Sequence, residues 1–401
     1  MRAYLDYNAT TPVDPAVLEA MLPFLADNFG NASSIHSAGQ RARTAVDRAR
    51  DSVAALLGAK PSEIVFTSGG TEADNLAIFG VVSAAIASRA RAASAHERRH
   101  VITTAVEHHA VLNSCQALEA QGIDVTYVSV GSSGVVDADE IRRALRAETV
   151  FISVMHANNE LGTIQPIEEI GRIAGEAGVY FHCDGVQSAG KLPLDVNRLG
   201  VDLLSISAHK ILGPKGVGAL YVREGTPLAP QFHGGHHERD RRPGTENVPG
   251  IVGLGKAAEV AAANLPHEVS RIVALRDRLE HAIFESVPAV HVNGDAARRV
   301  ANTTSLSFAA AGGEAMVIAL DLLGVECSTG AACSSGAVEP SHVLLAIGLS
   351  PDAARSSVRF SLGHHTTEAE IDYAITAVRE VVERLRTLSP RSTHATLVNS
   401  R

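Results

Sequence analysis

The sequence predicts an α/β fold: a large domain built on a mainly parallel sheet, with a smaller α+β domain. Three observations carry this. Short, nearly all-apolar strand patterns alternate with helical ones from about residue 63 to 222, as in a sheet covered on both faces. The character changes after about residue 255, where long helical stretches take over. The length, 401 residues, suits one large domain plus a smaller one.

The elements follow in order. Asp14-Pro15 before AVLEAMLPFLAD reads as an N-cap, a first-turn proline and an amphipathic helix. Residues 37–57 form a longer helical pattern, stopped by Gly58. EIVFT (63–67) is a strand, and 71–82 is helical. VITTA (101–105) is a strand, and 110–120 a helix ending near Gly122. DVTYVSV (124–130) and TVFISVMHA (149–157) are strands, with a helix over 137–145 between them. A helix over 167–177, capped by Gly178, leads into VYFHCD (179–184). DLLSISA (202–208) and GALYV (218–222) are two more strands. Farther on come helices over 269–285 and 368–388, and strand-like segments around 303–308 and 355–362. The final RSTHATLVNSR has no periodicity and reads as a tail.

Composition narrows the function classes. The net charge is −9, and no Lys/Arg stripe is interleaved with aromatics, which argues against a nucleic-acid partner. The Arg-rich run at 89–99 alternates with Ala, Ser and His and reads as a solvated loop or helix end. Neither a secretory signal nor a membrane span is expected, since MRAYLDYNATTP opens no apolar stretch and no long apolar window follows. Four cysteines, Cys115, Cys183, Cys327 and Cys333, are sparse enough to suggest free thiols in a reducing compartment, hence a cytoplasmic protein.

Five segments at strand ends carry candidate chemistry. SAHKILGPKGVG (207–218) puts Ser207, His209 and Lys210 beyond a strand, where open α/β sheets bind ligands. A lysine amine condenses with aldehydes, of which pyridoxal phosphate (PLP) is the common one, although a strand-end lysine is more often a solvated surface residue. Lys215, past Gly213-Pro214, is the only close competitor. VYFHCDGVQS ends in Asp184 with Gln187 just beyond. A carboxylate there could keep a cofactor ring nitrogen protonated, or simply cap a helix. FTSGGTEADN (66–75) is a strand–glycine–helix junction, with Gly70 and Thr71 placed to cradle a phosphate. In AVEHHAVL (105–112), His108 could stack on a flat ring and shuttle protons, or cap a helix, while His109 faces outward. In HANNELGTIQP (156–166), Asn158 and Asn159 could serve a turn, a cofactor hydroxyl or a substrate carboxylate.

Together these segments resemble the cysteine desulfurases of the NifS/IscS type, within the class V aminotransferase-like PLP enzymes. The resemblance runs from LDYNATTPVDP (5–15) to SVRFSLG (357–363). Its most specific pieces are TSGGTEADN, EHHAVL, HANNELG, HCDGVQS, SAHKILGPKGVG, RPGTENV and STGAACSSGAVEPSHVL. It implies a fold-type I PLP-dependent transferase, with a large domain over 15–258 and a small domain made of 1–14 and 259–401. It implies that Lys210 holds PLP, that Asp184 meets the ring nitrogen and Gln187 the phenolic oxygen, and that His108 stacks on the ring. Thr71, Ser207 and His209 would bind the phosphate, as would Thr245 of RPGT from the neighbouring subunit of a homodimer. Asn159 and Arg359 would hold the carboxylate of L-cysteine, a task suited to the planar arginine fork.

Cys333 sets this family apart from ordinary aminotransferases. It lies among Gly330, Ala331, Ala332, Ser334, Ser335 and Gly336, which predicts an exposed, flexible loop, and that loop resembles the longer one of the family's group I. The implied reaction moves the sulfur of L-cysteine onto Cys333 as a persulfide and leaves L-alanine, with His108 as acid/base. Cys327 is expected to be non-catalytic. The His-rich stretch HGGHHERDRRPGT (233–245) belongs by resemblance to the dimer and cofactor edge, so no resident metal is expected. Cys333 could share a cluster with an iron–sulfur scaffold partner. The short C-terminal tail leaves the choice of scaffold or other sulfur acceptor open. The rival readings are a selenocysteine lyase or aminotransferase on the same fold, and a non-catalytic sulfur carrier.

Overall fold

The computed structural model describes residues 1–89, 100–329 and 339–388. The Arg-rich run beyond Arg89, the 330–338 segment with Cys333, and residues 389–401 lie outside them. Seven strands form the central sheet: β1 Ile64–Thr67, β2 His100–Thr104, β3 Asp124–Val128, β4 Thr149–Ser153, β5 Tyr180–Asp184, β6 Leu203–Ser207 and β7 Gly218–Val222. Their spatial order is β1-β7-β6-β5-β4-β2-β3. The pairs β2/β3, β2/β4, β4/β5 and β5/β6 are parallel. β7 runs antiparallel to both β6 and β1, so the sheet is mainly parallel, as the alternating pattern predicts.

Strand alternation feeds two cores. Ile64, Phe66, Ile102, Phe181, Leu204 and Ile206 enter one, with the helices Ser37–Leu57 and Ile167–Ala177. Val65, Val101, Phe151, Leu203 and Leu220 enter the other, with the helices Gly70–Arg89 and His109–Glu119. Both faces are thus buried, which is why the strands read as continuous apolar runs rather than alternating ones. The helix stops behave as their chemistry dictates. Asp14 Oδ1 accepts from Ala16 N at 2.8 Å, and Gly58 ends the Ser37–Leu57 helix at φ +64°.

A third core holds most of the rest. Thr303–Phe308 pairs antiparallel with Ser357–Ser361 on one side and Val290–Val292 on the other. The N-terminal strand Ala3–Tyr4 pairs with Val325–Glu326, and Ala3 and Leu5 pack with Leu306, Phe308 and Phe360. One helix joins the cores, and it differs from the expected 269–285: it runs Val248–Ser286. Its first half packs Val248, Ile251 and Leu254 into the sheet core, and its second half packs Ile272, Leu279 and Ile283 into the small one. The boundary expected at 258/259 falls inside this helix. Pro266 sits within it and cannot donate to the carbonyl four residues back. Among the described residues no helix is long and apolar enough to cross a membrane.

The 233–245 stretch is tied to the sheet by a buried ion pair. Arg50 donates to Glu238 at 2.6 and 2.9 Å, and Phe66 N donates to the same carboxylate at 2.9 Å. Glu238, Arg239 and Asp240 all have positive φ, a left-handed run that costs L-residues and persists only where such anchors hold it.

Candidate active site

Because β1 and β6 are both antiparallel to β7, they run the same way, and Gly218 pairs with both Thr67 and Ser207. The carboxyl ends of β1, β2, β4, β5 and β6 therefore open on one edge of the sheet, the ligand edge of such folds. A cleft of about 360 Å³ lies there. It is lined by Gly70, Thr71, His108, Asn159, Asp184, Gln187, Ser207, His209, Lys210 and Arg359. Thr245 is not among its lining; it is exposed on the 233–245 stretch. Cys333 lies outside the described residues, five positions after Ser328, which lines the cleft.

Asp184 ends β5 and Lys210 closes the turn after β6, so the two come from adjacent strands. Lys210 Nζ donates to Asn8 O and to Ala9 O, the latter at 2.8 Å. Burial, with Arg359 nearby, brings the Lys210 amine down to about 8, against the pull of Asp6 and Asp184. Burial raises the Asp184 carboxyl, while His108, the Val186 N–H at 2.9 Å and Lys210 oppose the rise. A cation placed against Asp184 would restore its charge. His108 is both a helix cap and a cleft residue. Its Nδ1 accepts from Ala110 N at 3.1 Å, which leaves the proton on Nε2. Burial keeps this ring neutral, and likewise His209, brought down to about 4.

The two asparagines divide their labour. Asn158 Oδ1 accepts from Glu160 N and Leu161 N, both at 2.9 Å, which is turn chemistry. Asn159 Oδ1 is buried without a partner, and its residue lines the cleft. Arg359 is 4% exposed; it donates to Asn159 O at 2.9 Å and pairs with Asp6. Gly70 leaves little room for a side chain: a Cβ would come within 2.7 Å of Val186 Cγ2, so something there would have to shift.

Four residues of this site had no expected role. Asp6 holds Arg359. Asn8 is a hub: its carbonyl accepts from Lys210 and Gln187, and its amide nitrogen donates to Asn159 O at 3.1 Å. Asp74, in TSGGTEADN, lines the cleft with a buried Oδ1 that makes no hydrogen bond and lies 3.5 Å from His182 Nε2. Burial beside Asp184 raises its carboxyl well above the usual range. Lys191 shares Asn8 with Lys210. It too lies outside the cleft lining, but its bond to Asn8 sets it beside Lys210, so it replaces the exposed Lys215 as the near competitor. Only the motif LDYNATTP hinted at the first two; nothing local marked Lys191.

The described cysteines are poor nucleophiles. Cys115, Cys183 and Cys327 are free and buried. Burial pushes the Cys115 and Cys327 thiols up to about 12, and that of Cys183 higher than usual.

The family model "Aminotransferase class-V" matches residues 3–374. The chain is 50% identical to "Cysteine desulfurase IscS" of Dictyoglomus turgidum over 387 residues, covering 96% of each protein. It is 52% identical to "Cysteine desulfurase" of Nostoc sp., covering 96% of this chain and 94% of that one. Among solved structures, a "NIFS-LIKE PROTEIN" is 38% identical with a TM-score of 0.87, over 96% of this chain and 100% of that one. "SspA in complex with cysteine" is 39% identical with a TM-score of 0.79, over 91% and 100%. Enzymes of this family work with PLP, and the cleft suits it: an anchoring amine, a carboxylate short of a cation, an orphaned amide oxygen and a glycine cradle. The chain belongs to the class-V aminotransferase family of PLP-dependent enzymes and, within it, to the cysteine desulfurases.

Proposed function

We propose that this cleft takes sulfur from L-cysteine and leaves L-alanine, with Lys210 as the anchor of PLP and Cys333 as the first sulfur acceptor. Asp184 meets the ring nitrogen, Gln187 the phenolic oxygen, and His108 the ring face. Thr71, Ser207, His209 and the Gly70 backbone take the phosphate. Asn159 and Arg359 take the substrate carboxylate. When bound, PLP supplies a sink for the electrons of a bond broken at the substrate Cα. Lys210, its amine brought down to about 8 and so partly neutral near pH 8, takes and returns the Cα proton. His108 Nε2 handles the thiol proton. The Cys333 thiolate attacks the substrate sulfur: an S–S bond forms, the C–S bond breaks, and its electrons stay with the carbon fragment, which is protonated to alanine.

The observation that carries this reading is the convergence on one cleft of Asp184 and Lys210, from adjacent strand ends, with Arg359 from the small sheet. A pH series tests it. The amine attacks an aldehyde only when neutral, so a pKa lowered to about 8 fixes the profile. PLP should recombine with the apoenzyme at a rate that climbs with pH, bends near pH 8 and levels off above it. A rate still rising nearly tenfold per unit at pH 9 belongs to an ordinary lysine and contradicts the assignment.

The enzyme works as a homodimer. Leu18, Leu22 and Leu25 share one helix face at 48–60% exposure, and Phe29 and Ile35 follow at 83% and 92%. Monomers rarely leave so much apolar surface open. The exposed Thr245, absent from its own cleft, reaches the partner's phosphate. Sedimentation should give a dimer that sheds PLP on dilution; an active, PLP-loaded monomer would rule this out. The unpaired buried cysteines fit a cytoplasmic setting. The final acceptor is an iron–sulfur scaffold or another sulfur-transfer protein, to be identified by pull-down and persulfide-transfer assay.

A further inference from the structure

Lys191 follows β5 by seven residues and is largely withdrawn from solvent. Its Nζ donates to Gln187 Oε1 at 2.6 Å and to Asn8 Oδ1 at 3.0 Å. Whether neutral or charged, it meets these two acceptors as a donor. That choice fixes the Gln187 amide. With Oε1 held by Lys191, the amide nitrogen must face the other way. One of its protons goes to Asn8 O at 2.9 Å, and Gln187 also lines the cleft, where the second proton is available.

The hub behind this pair is itself pinned. Asn8 Oδ1 also accepts from Asn302 Nδ2 at 3.0 Å, and Asn8 Nδ2 donates to Thr303 Oγ1 at 2.8 Å. A flip of the Gln187 amide would turn its NH₂ onto the Lys191 donor and its oxygen onto a carbonyl. Both contacts are repulsive, and they would leave buried groups unpaired.

We propose that Lys191 is a positioning residue: it locks the Gln187 amide with an N–H turned into the cleft, so that the site accepts a negatively charged oxygen there. This rests on the reading that Gln187 meets the phenolic oxygen of PLP. Lys191 is therefore not a spare anchor for the aldehyde, because its amine is committed to Asn8 and Gln187. Replacing it with an apolar side chain frees the amide, and the carbonyl face then competes for the cleft. Donation to the phenolic oxygen favours its charged form, so losing the donor raises the pH at which the bound cofactor loses its proton.

The test measures two quantities in Lys191→Met, Gln187→Leu and the double variant: the dissociation constant of PLP from the apoenzyme, and the pH midpoint of the holoenzyme's visible absorption. Each single variant should weaken PLP by about tenfold and move the midpoint up by roughly half a unit, as expected for one hydrogen bond to a charged acceptor. The double variant should match the singles, since both remove the same interaction. Lys191→Leu replaces Lys191→Met if the latter does not fold. A normal Lys191→Met beside an impaired Gln187→Leu overturns the role of Lys191 and leaves Gln187 standing. Fully additive effects also overturn it. A normal Gln187→Leu removes the reading of Gln187 and this proposal with it.

Discussion

Lys210→Ala should lose turnover by on the order of 10³-fold or more and lose the absorbance of lysine-bound PLP. Two functions vanish with one side chain: the covalent anchor and the base beside the substrate Cα. No neighbour supplies either. Lys191 shares the Asn8 hub, but its amine is held by Gln187 Oε1 and Asn8 Oδ1. Lys215 is exposed and lies outside the cleft lining. The variant should still fold, because Lys210 contributes only two bonds to backbone carbonyls. Borohydride reduction followed by peptide mapping is the check. Wild type should carry the reduced cofactor on Lys210, and the variant should carry none. A label appearing on Lys191 in the variant would mean that the site tolerates a second anchor.

Cys333→Ala should separate cofactor chemistry from sulfur transfer. Lys210, Asp184, Asn159 and Arg359 are untouched, so the variant should bind PLP and show the spectral change that L-cysteine produces in wild type. Alanine and sulfide release should both fall by about 10³-fold, because nothing remains to attack the substrate sulfur. Cys327 is the one cysteine near enough in sequence to substitute. It follows the strand Val325–Glu326, packs in the small core, and has its thiol pushed up to about 12. At neutral pH almost none of it is thiolate. Alanine release at wild-type rates from Cys333→Ala would remove Cys333 from the mechanism.

Much of the site was legible because its residues sit at strand ends, and strand ends are local events. VYFHCD and DLLSISA are short apolar runs that stop at Asp184 and Ser207, and β5 and β6 are indeed neighbours. What was not legible has physical reasons. The Val248–Ser286 helix begins well before the expected 269, across Gly250, Gly253, Gly255 and Pro266, residues that ordinarily interrupt helices. The glycines serve packing instead. A Cβ on Gly253 would come within 2.7 Å of Met21 Sδ, and one on Gly255 within 2.6 Å of Ala49 Cα. The opposite direction of β7 is invisible locally, since an apolar run carries no sign of its orientation. The network of Asn8, Lys191, Gln187 and Asn302 joins residues up to 294 positions apart, and no spacing rule reaches that far. Asn159 could not be told from Asn158 by composition; only the fold turns one into the loop and the other toward the cleft.

The central claim is that the sulfur of L-cysteine goes first to Cys333, and peptide-resolved mass spectrometry tests it most directly. Wild-type enzyme is exposed briefly to L-cysteine, quenched, alkylated and digested. The peptide with Cys333 should gain the mass of about one sulfur atom, and the gain should disappear on reduction. Cys327→Ser should show the same gain, and Lys210→Ala should show none. The peptides of Cys115 and Cys183 should be unchanged, since burial denies both thiols the charge and the access they would need. Sulfur found on Cys327, or on no cysteine while alanine is still released, would contradict the account.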